Sequence, residues 1–72
     1  MADIGELNRN RQKLLDKTMK DGTDHNQHIW IVRCMRVVAD HICDHIYGAN
    51  SSDFFERRCP KCDVGAAGIP LP

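Results

Sequence analysis

Net charge and long apolar runs are both absent from this sequence, and each absence removes a class of function. Ten lysines and arginines balance ten aspartates and glutamates in a chain of 72 residues. A protein that coats nucleic acid without regard to its sequence needs a large positive excess, so the balanced charge argues against that class. A local basic patch is still compatible with this composition.

Segments apolar enough to cross a membrane are also lacking. The longest apolar clusters are IWIV and CMRVVA, whereas a membrane-spanning helix needs about 20 consecutive apolar residues. The opening stretch MADIGELNRNRQKLLDK has no apolar core of the kind found in signal peptides. We therefore expect a cytoplasmic protein, in which cysteines are more often metal ligands or free thiols than disulfides.

The interior of so short a chain offers little stabilisation. A domain of this size buries only about 60% of the surface that its unfolded chain exposes, and its core contributes roughly 3–5 kcal/mol. A metal ion or another cross-link would therefore help the chain to fold. We expect residues 1–64 to form a single small helical domain, and 65–72, which are rich in glycine and proline, to form a flexible C-terminal tail.

The spacing of apolar residues predicts an all-α fold built on one long central helix that ends near Tyr47. Apolar side chains recur every three or four positions along it, as on the buried face of a helix: Ile31, Met35, Val38, Ile42 and Ile46. An N-terminal helix over 3–20 and a short third helix over 52–58 complete the predicted domain. A buried strand at HIWIV is the alternative, and the length of the pattern disfavours it.

Two histidines and two cysteines in the second half of the chain have the spacing of metal ligands. His41 and His45 are four residues apart, so they share one face of a helix. Cys59 and Cys62 enclose Pro-Lys in a knuckle, a turn in which both thiols can face one ion. We therefore predict that these four side chains bind one zinc ion, which suits nitrogen and sulfur ligands arranged as a tetrahedron.

Other interpretations of these residues remain open. On a continuous helix Cys34 and Cys43 lie half a turn out of phase, which disfavours a site made of all four cysteines. A chain without metal fits the pattern equally well, because the histidines can border the core while the knuckle is a tight turn. His25 or His28 could also replace one of the two histidine ligands.

Catalysis and redox chemistry are the poorest explanations of the pattern. A redox-active Cys-x-x-Cys sequence normally begins a helix within a strand–helix–strand unit, and this chain shows no such alternation. A metal site with four protein ligands has no open position for a catalytic water. We therefore expect a protein that is not an enzyme and that binds a macromolecule.

A protein is the favoured partner. Aromatic and arginine side chains are enriched at the energetic centres of interfaces, and lysines on the predicted first helix offer a second patch. The predicted partner-binding residues are Lys13, Lys17, Trp30, Arg33, Arg57 and Arg58. The alternative is a nucleic-acid-binding regulator of the zinc-knuckle or helix-turn-helix kind. The basic residues of ERRCPKC support it, and Asp40 and Asp44, on the predicted outer face of the central helix, oppose it.

Three stretches give the chain a resemblance to known proteins: MADIGELNRNRQKLLDKTMKDG, HIWIVRCMRVVADHICDHIYG and RRCPKC. Together they resemble the small transcription regulators that lytic phages of Xanthomonas direct against host RNA polymerase. The resemblance implies a non-enzymatic protein of the host cytoplasm that engages the β and β′ subunits. It further implies displacement of the σ factor, which inhibits initiation, and antitermination during elongation. It assigns no contact residues and does not decide whether zinc is bound.

Overall fold

The structure, a computed structural model, describes residues 3–21, 28–65 and 67–69, and within them the chain is built mainly from antiparallel strands. The elements are β1 (Gln12–Asp21), β2 (His28–Cys34), β3 (Val37–Val38), β4 (His41–Ile42), β5 (Ile46–Asn50) and a 3₁₀ helix (Ser51–Glu56). Strands β1, β2 and β5 form one sheet with β2 at its centre, and β3 pairs with β4 in a separate hairpin. No helix in this part of the chain is long and apolar enough to cross a membrane.

The prediction of an all-α fold was wrong. The predicted central helix is replaced by β2, the β3–β4 hairpin and β5, and the predicted N-terminal helix by a loop followed by β1. The alternative of a strand at HIWIV is confirmed, since these residues lie in β2. The 3₁₀ helix lies where the short third helix was predicted over 52–58.

Burial shows why the helical spacing was misleading. Val38, Ile42 and Ile46, which that spacing placed in the core, are 37%, 42% and 43% exposed. The backbone also turns between them, because Ala39 and Asp40 adopt positive φ angles of 49° and 72° that no α-helix contains. The apolar residues of this region are mostly β-branched or aromatic, which favours strands.

Alternation along the strands places the core on one face of the sheet. Leu14, Val32 and Tyr47 are paired across β1, β2 and β5, and all three are buried. The next row along, Lys13 paired with Arg33, points to the opposite face, as successive residues of a strand do. The core face therefore collects Leu14, Val32 and Tyr47, while the other face carries Lys13 and Arg33 together with the buried Ile29.

The 3₁₀ helix covers the core face of the sheet. Phe54 is fully buried against the sheet, and its ring centroid lies 5.9 Å from that of the half-buried Trp30. The N-terminal loop holds this helix in place, since the Asn8 side chain donates a hydrogen bond to the Arg57 carbonyl oxygen at 3.0 Å. The core thus depends on one aromatic side chain from outside the sheet.

Part of the predicted C-terminal tail pairs with the sheet. The amide of Ile69 donates to the Gly48 carbonyl at 2.8 Å, and the Gly48 amide donates to the Ile69 carbonyl at 3.0 Å. A Cβ at Gly48 would lie 2.8 Å from the Ile69 carbonyl oxygen, so only glycine allows this close approach without a shift. The domain boundary near residue 64 stays a prediction.

We expect Phe54→Ala to destabilise the chain by about 3–5 kcal/mol, because it empties the buried volume above the sheet. A loss of this size is comparable with the whole stability of so small a domain. Denaturant unfolding followed by tryptophan fluorescence measures it. Phe55→Ala is the matched control, since Phe55 belongs to the same helix and is 46% exposed. Equal losses in the two variants would contradict the described core.

Candidate metal centre

The β3–β4 hairpin brings two cysteines together. Cys34 ends β2 and Cys43 follows β4, with a two-residue turn at Ala39–Asp40 between them. Positive φ at both turn residues is the pattern of a type I′ turn, which joins adjacent antiparallel strands tightly. The base of the hairpin is closed by backbone hydrogen bonds, including Asp44 N–H to the Cys34 carbonyl at 3.0 Å. The turn therefore returns Cys43 to the neighbourhood of Cys34.

The knuckle supplies the other two cysteines. The amides of Lys61 and Cys62 donate to the Cys59 sulfur at 3.3 and 3.4 Å. The amides of Asp63 and Gly65 both donate to the Cys59 carbonyl, at 3.1 and 2.9 Å, which closes the turn. A Cβ at Gly65 would collide with the Arg58 carbonyl, so glycine is required there. Amide donors around a sulfur stabilise its thiolate form, which is the form that binds metal.

The two halves meet so that all four sulfur atoms lie within 4.8 Å of one another. The Cys34 and Cys62 sulfurs are 3.6 Å apart, and those of Cys43 and Cys59 are 3.9 Å apart. These distances are far longer than the roughly 2.0 Å of a disulfide bond, and all four residues are free thiols. Cys34 and Cys59 are fully buried. The four cysteines can therefore hold a metal ion between the hairpin and the knuckle.

The ionisation of these thiols is uneven. Burial opposes ionisation of Cys34, but hydrogen bonds from the Arg36 backbone and from Gln12 outweigh it and lower the pKa of Cys34. Burial raises the pKa of Cys59 despite the knuckle amides, and burial together with the neighbouring thiols raises the pKa of Cys62. Four thiolates in so small a space would repel one another strongly, and a bound cation removes that penalty by neutralising them.

The predicted ligand set is only partly brought together. Cys59 and Cys62 belong to the thiol cluster, whereas neither His41 nor His45 does. The exposed His41 ring has Nδ1 3.0 Å from the Ala39 carbonyl oxygen, and the His45 ring stacks on Tyr47 at 5.6 Å between centroids. His28, named as a substitute ligand, lies in β2 outside the cluster, and His25 lies outside the described residues.

Cys34 and Cys43 are absent from the predicted ligand set because that prediction depends on a continuous helix. On a helix the nine-residue spacing points the two thiols in opposite directions. In the structure the chain between them reverses at the Ala39–Asp40 turn, so that phase argument no longer applies. A signal for the pair was present in the strand pattern of HIWIV, which places Cys34 at a strand end on the same face as Val32.

The six residues predicted to bind a partner do not form one continuous patch. Lys13 and Arg33 are paired on the outer face of the sheet, while the Lys17 ammonium lies 5.0 Å from the centroid of the Trp30 ring. The remaining two, Arg57 and Arg58, lie beside the knuckle: the Arg57 guanidinium is 5.0 Å from the Tyr47 ring centroid, and Arg58 donates to the Asp63 carbonyl at 2.8 Å. Partner binding by these residues stays a prediction.

Comparison with known proteins adds no relative, since no family model, curated protein or solved structure matches the chain. The fold and the four cysteines therefore define the class of protein: a small antiparallel β domain with a site of four cysteines capable of holding a metal ion.

Substitution of single ligands distinguishes the two ligand sets. We expect Cys34→Ser and Cys43→Ser to lose the bound metal, because each removes one of four converging sulfurs. His41→Ala and His45→Ala are the matched controls and should keep it. Elemental analysis of each purified variant gives the metal content per chain. Loss of metal from the histidine variants, with retention in the Cys34 and Cys43 variants, would contradict the thiol site.

Proposed function

We propose that the four cysteines bind one zinc ion and that this ion is structural. The convergence of four sulfurs from two separate turns is the observation that carries the proposal. At a zinc–sulfur distance of about 2.3 Å, tetrahedral geometry separates neighbouring sulfurs by about 3.8 Å. Two of the six sulfur–sulfur separations, at 3.6 and 3.9 Å, bracket that value, and all six lie within 4.8 Å. Four protein ligands fill the coordination shell, so no position is left for a catalytic water.

The β3–β4 hairpin is the element that needs the ion most. Its side chains Val37, Val38 and Ile42 are all exposed, so they contribute little to holding the hairpin against the rest of the chain. Zinc bound between Cys43 and the knuckle would fix the hairpin directly. Because such a site does not exist in the unfolded chain, the binding free energy of the ion becomes folding free energy.

We further propose that the folded module is a non-enzymatic regulator that binds host RNA polymerase. The resemblance to the phage regulators supports this partner, and with it the β and β′ subunits, σ displacement and antitermination. The surface of the hairpin supports a protein partner in general. Val37 is 73% exposed beside the exposed Val38 and Ile42, and neighbouring exposed apolar side chains are typical of interaction sites.

The charges near the site favour a protein partner over nucleic acid. Arg36 is paired with Asp63 at 2.9 Å, and Arg58 lies 3.8 Å from the same carboxylate. Arg33 is paired with Asp44. Phosphate groups would have to compete with these carboxylates for the guanidinium groups, and the net charge of zero adds no long-range attraction.

Binding to purified RNA polymerase tests the proposal. We expect the zinc-loaded chain to bind the core enzyme, and expect Val37→Asp combined with Ile42→Asp to weaken binding without changing the zinc content. Ile4→Asp is the matched control, because Ile4 is 62% exposed on the N-terminal loop. Fluorescence anisotropy of a labelled chain, titrated with core enzyme, gives the affinities.

Three outcomes would contradict parts of this proposal. Failure of the zinc-loaded chain to bind core or holoenzyme at micromolar concentration would remove the polymerase as partner. Equal weakening by the hairpin variant and by Ile4→Asp would remove the hairpin as the contact surface. Binding to random DNA or RNA that disappears with added salt, without binding to polymerase, would favour the nucleic-acid regulator.

A further inference from the structure

Gln12 is a buried polar residue whose position needs an explanation. It begins β1, is fully buried, and is paired with Cys34 across the sheet. Burying an amide away from water is costly unless its donors and acceptor find partners. An apolar residue at the same place would avoid that cost. The buried amide therefore indicates that neighbouring groups need its hydrogen bonds.

Both the nitrogen and the oxygen of the Gln12 side-chain amide have defined hydrogen-bond partners. Its Nε2 donates to the Asn10 carbonyl at 3.0 Å and to the Cys34 sulfur at 3.2 Å, and its Oε1 accepts from the Tyr47 hydroxyl at 2.7 Å. A carbonyl only accepts, so the Asn10 contact fixes which side of the amide carries the nitrogen. The N–H group that faces Cys34 is therefore held in place by two other bonds.

The two buried sulfurs, Cys34 and Cys59, differ in how many amide donors their own turns supply. Cys59 receives the amides of Lys61 and Cys62 from its own turn. Cys34 ends a strand, and the Arg36 amide is the backbone donor that the described residues after it supply to its sulfur. The side chain of Gln12 supplies a second donor from the neighbouring strand, so both buried sulfurs are surrounded by N–H groups.

We infer that Gln12 is a positioning residue of the metal centre, held by Tyr47, and that it orients the Cys34 thiolate toward the ion. The inference rests on the proposed metal site. The hydrogen bond stabilises the thiolate and fixes the Cys34 sulfur, while the Tyr47 hydroxyl fixes the amide. Tyr47 also packs in the core with Leu14 and Val32. Metal binding is thereby linked to the packing of the sheet through one side chain.

Three variants separate this role from a loss of stability. Gln12→Leu substitutes an apolar side chain of similar size and removes the donor, so we expect zinc affinity to fall about 10- to 100-fold. Tyr47→Phe keeps the amide and removes its anchor, so we expect a smaller fall. Leu14→Ala is the control, because it opens a cavity in the same strand without touching a sulfur.

One affinity measurement and two spectroscopic measurements on the metal–sulfur site test this role. Competition with a chromophoric chelator gives the zinc affinities. Substitution by cobalt(II) gives the sulfur-to-metal charge-transfer band, which we expect Gln12→Leu to shift and Leu14→Ala to leave in place. In the wild-type chain loaded with the magnetic isotope of cadmium, we expect a scalar coupling between the metal and the Gln12 side-chain amide. That coupling requires no variant, so it tests the inference even if Gln12→Leu fails to fold.

The outcomes are distinguishable from failure of the metal site. If the wild-type chain binds cadmium through four sulfurs but shows no coupling to Gln12, the inference is wrong and the metal site stands. Unchanged affinity and an unchanged cobalt spectrum in Gln12→Leu would overturn it in the same way. A wild-type chain that binds no metal would overturn the site and the inference together.

Discussion

The convergence of four cysteine sulfurs is the constraint on which the rest of the molecule depends. It joins the end of β2, the return of the β3–β4 hairpin and the knuckle after the 3₁₀ helix. Without a cation, ionised thiols at these separations repel one another, so the arrangement is favourable with a bound metal or with most thiols protonated. A metal ion bound there would do for this chain what a larger core does for a longer one.

The sheet core and the metal centre are parts of one structure. Leu14, Val32 and Tyr47 form a buried row across three strands, and Phe54 covers it. Gln12, two pairs further along β1 and β2, connects the Tyr47 hydroxyl with the Cys34 sulfur. The hairpin beyond this junction has exposed apolar side chains, and a metal ion bound between Cys43 and the knuckle would fix its position.

The knuckle could be predicted from the sequence, whereas the β3–β4 hairpin required knowledge of the backbone conformation. The Cys59–Cys62 knuckle depends on two residues between thiols, a local feature that the sequence displays, and both of its sulfurs lie in the cluster of four. The helical pattern over Val38 and Ile42 was wrong because those residues pair across a turn whose positive φ angles fall on Ala39 and Asp40. Of the two, only Asp40 is a residue type that tolerates positive φ, and Ala39 gives no turn signal. The helical interpretation also disfavoured a site of all four cysteines, whereas the hairpin allows Cys34 and Cys43 to meet.

X-ray absorption at the zinc edge of the purified, zinc-loaded chain tests the central claim most directly, because it counts the ligand atoms and measures their distances from the metal. The account predicts a first shell of four sulfur atoms at about 2.3 Å and no nitrogen. A shell of two sulfurs and two imidazole nitrogens would contradict it and restore His41 and His45 as ligands. A chain that retains no metal when purified under reducing conditions would contradict the metal centre altogether.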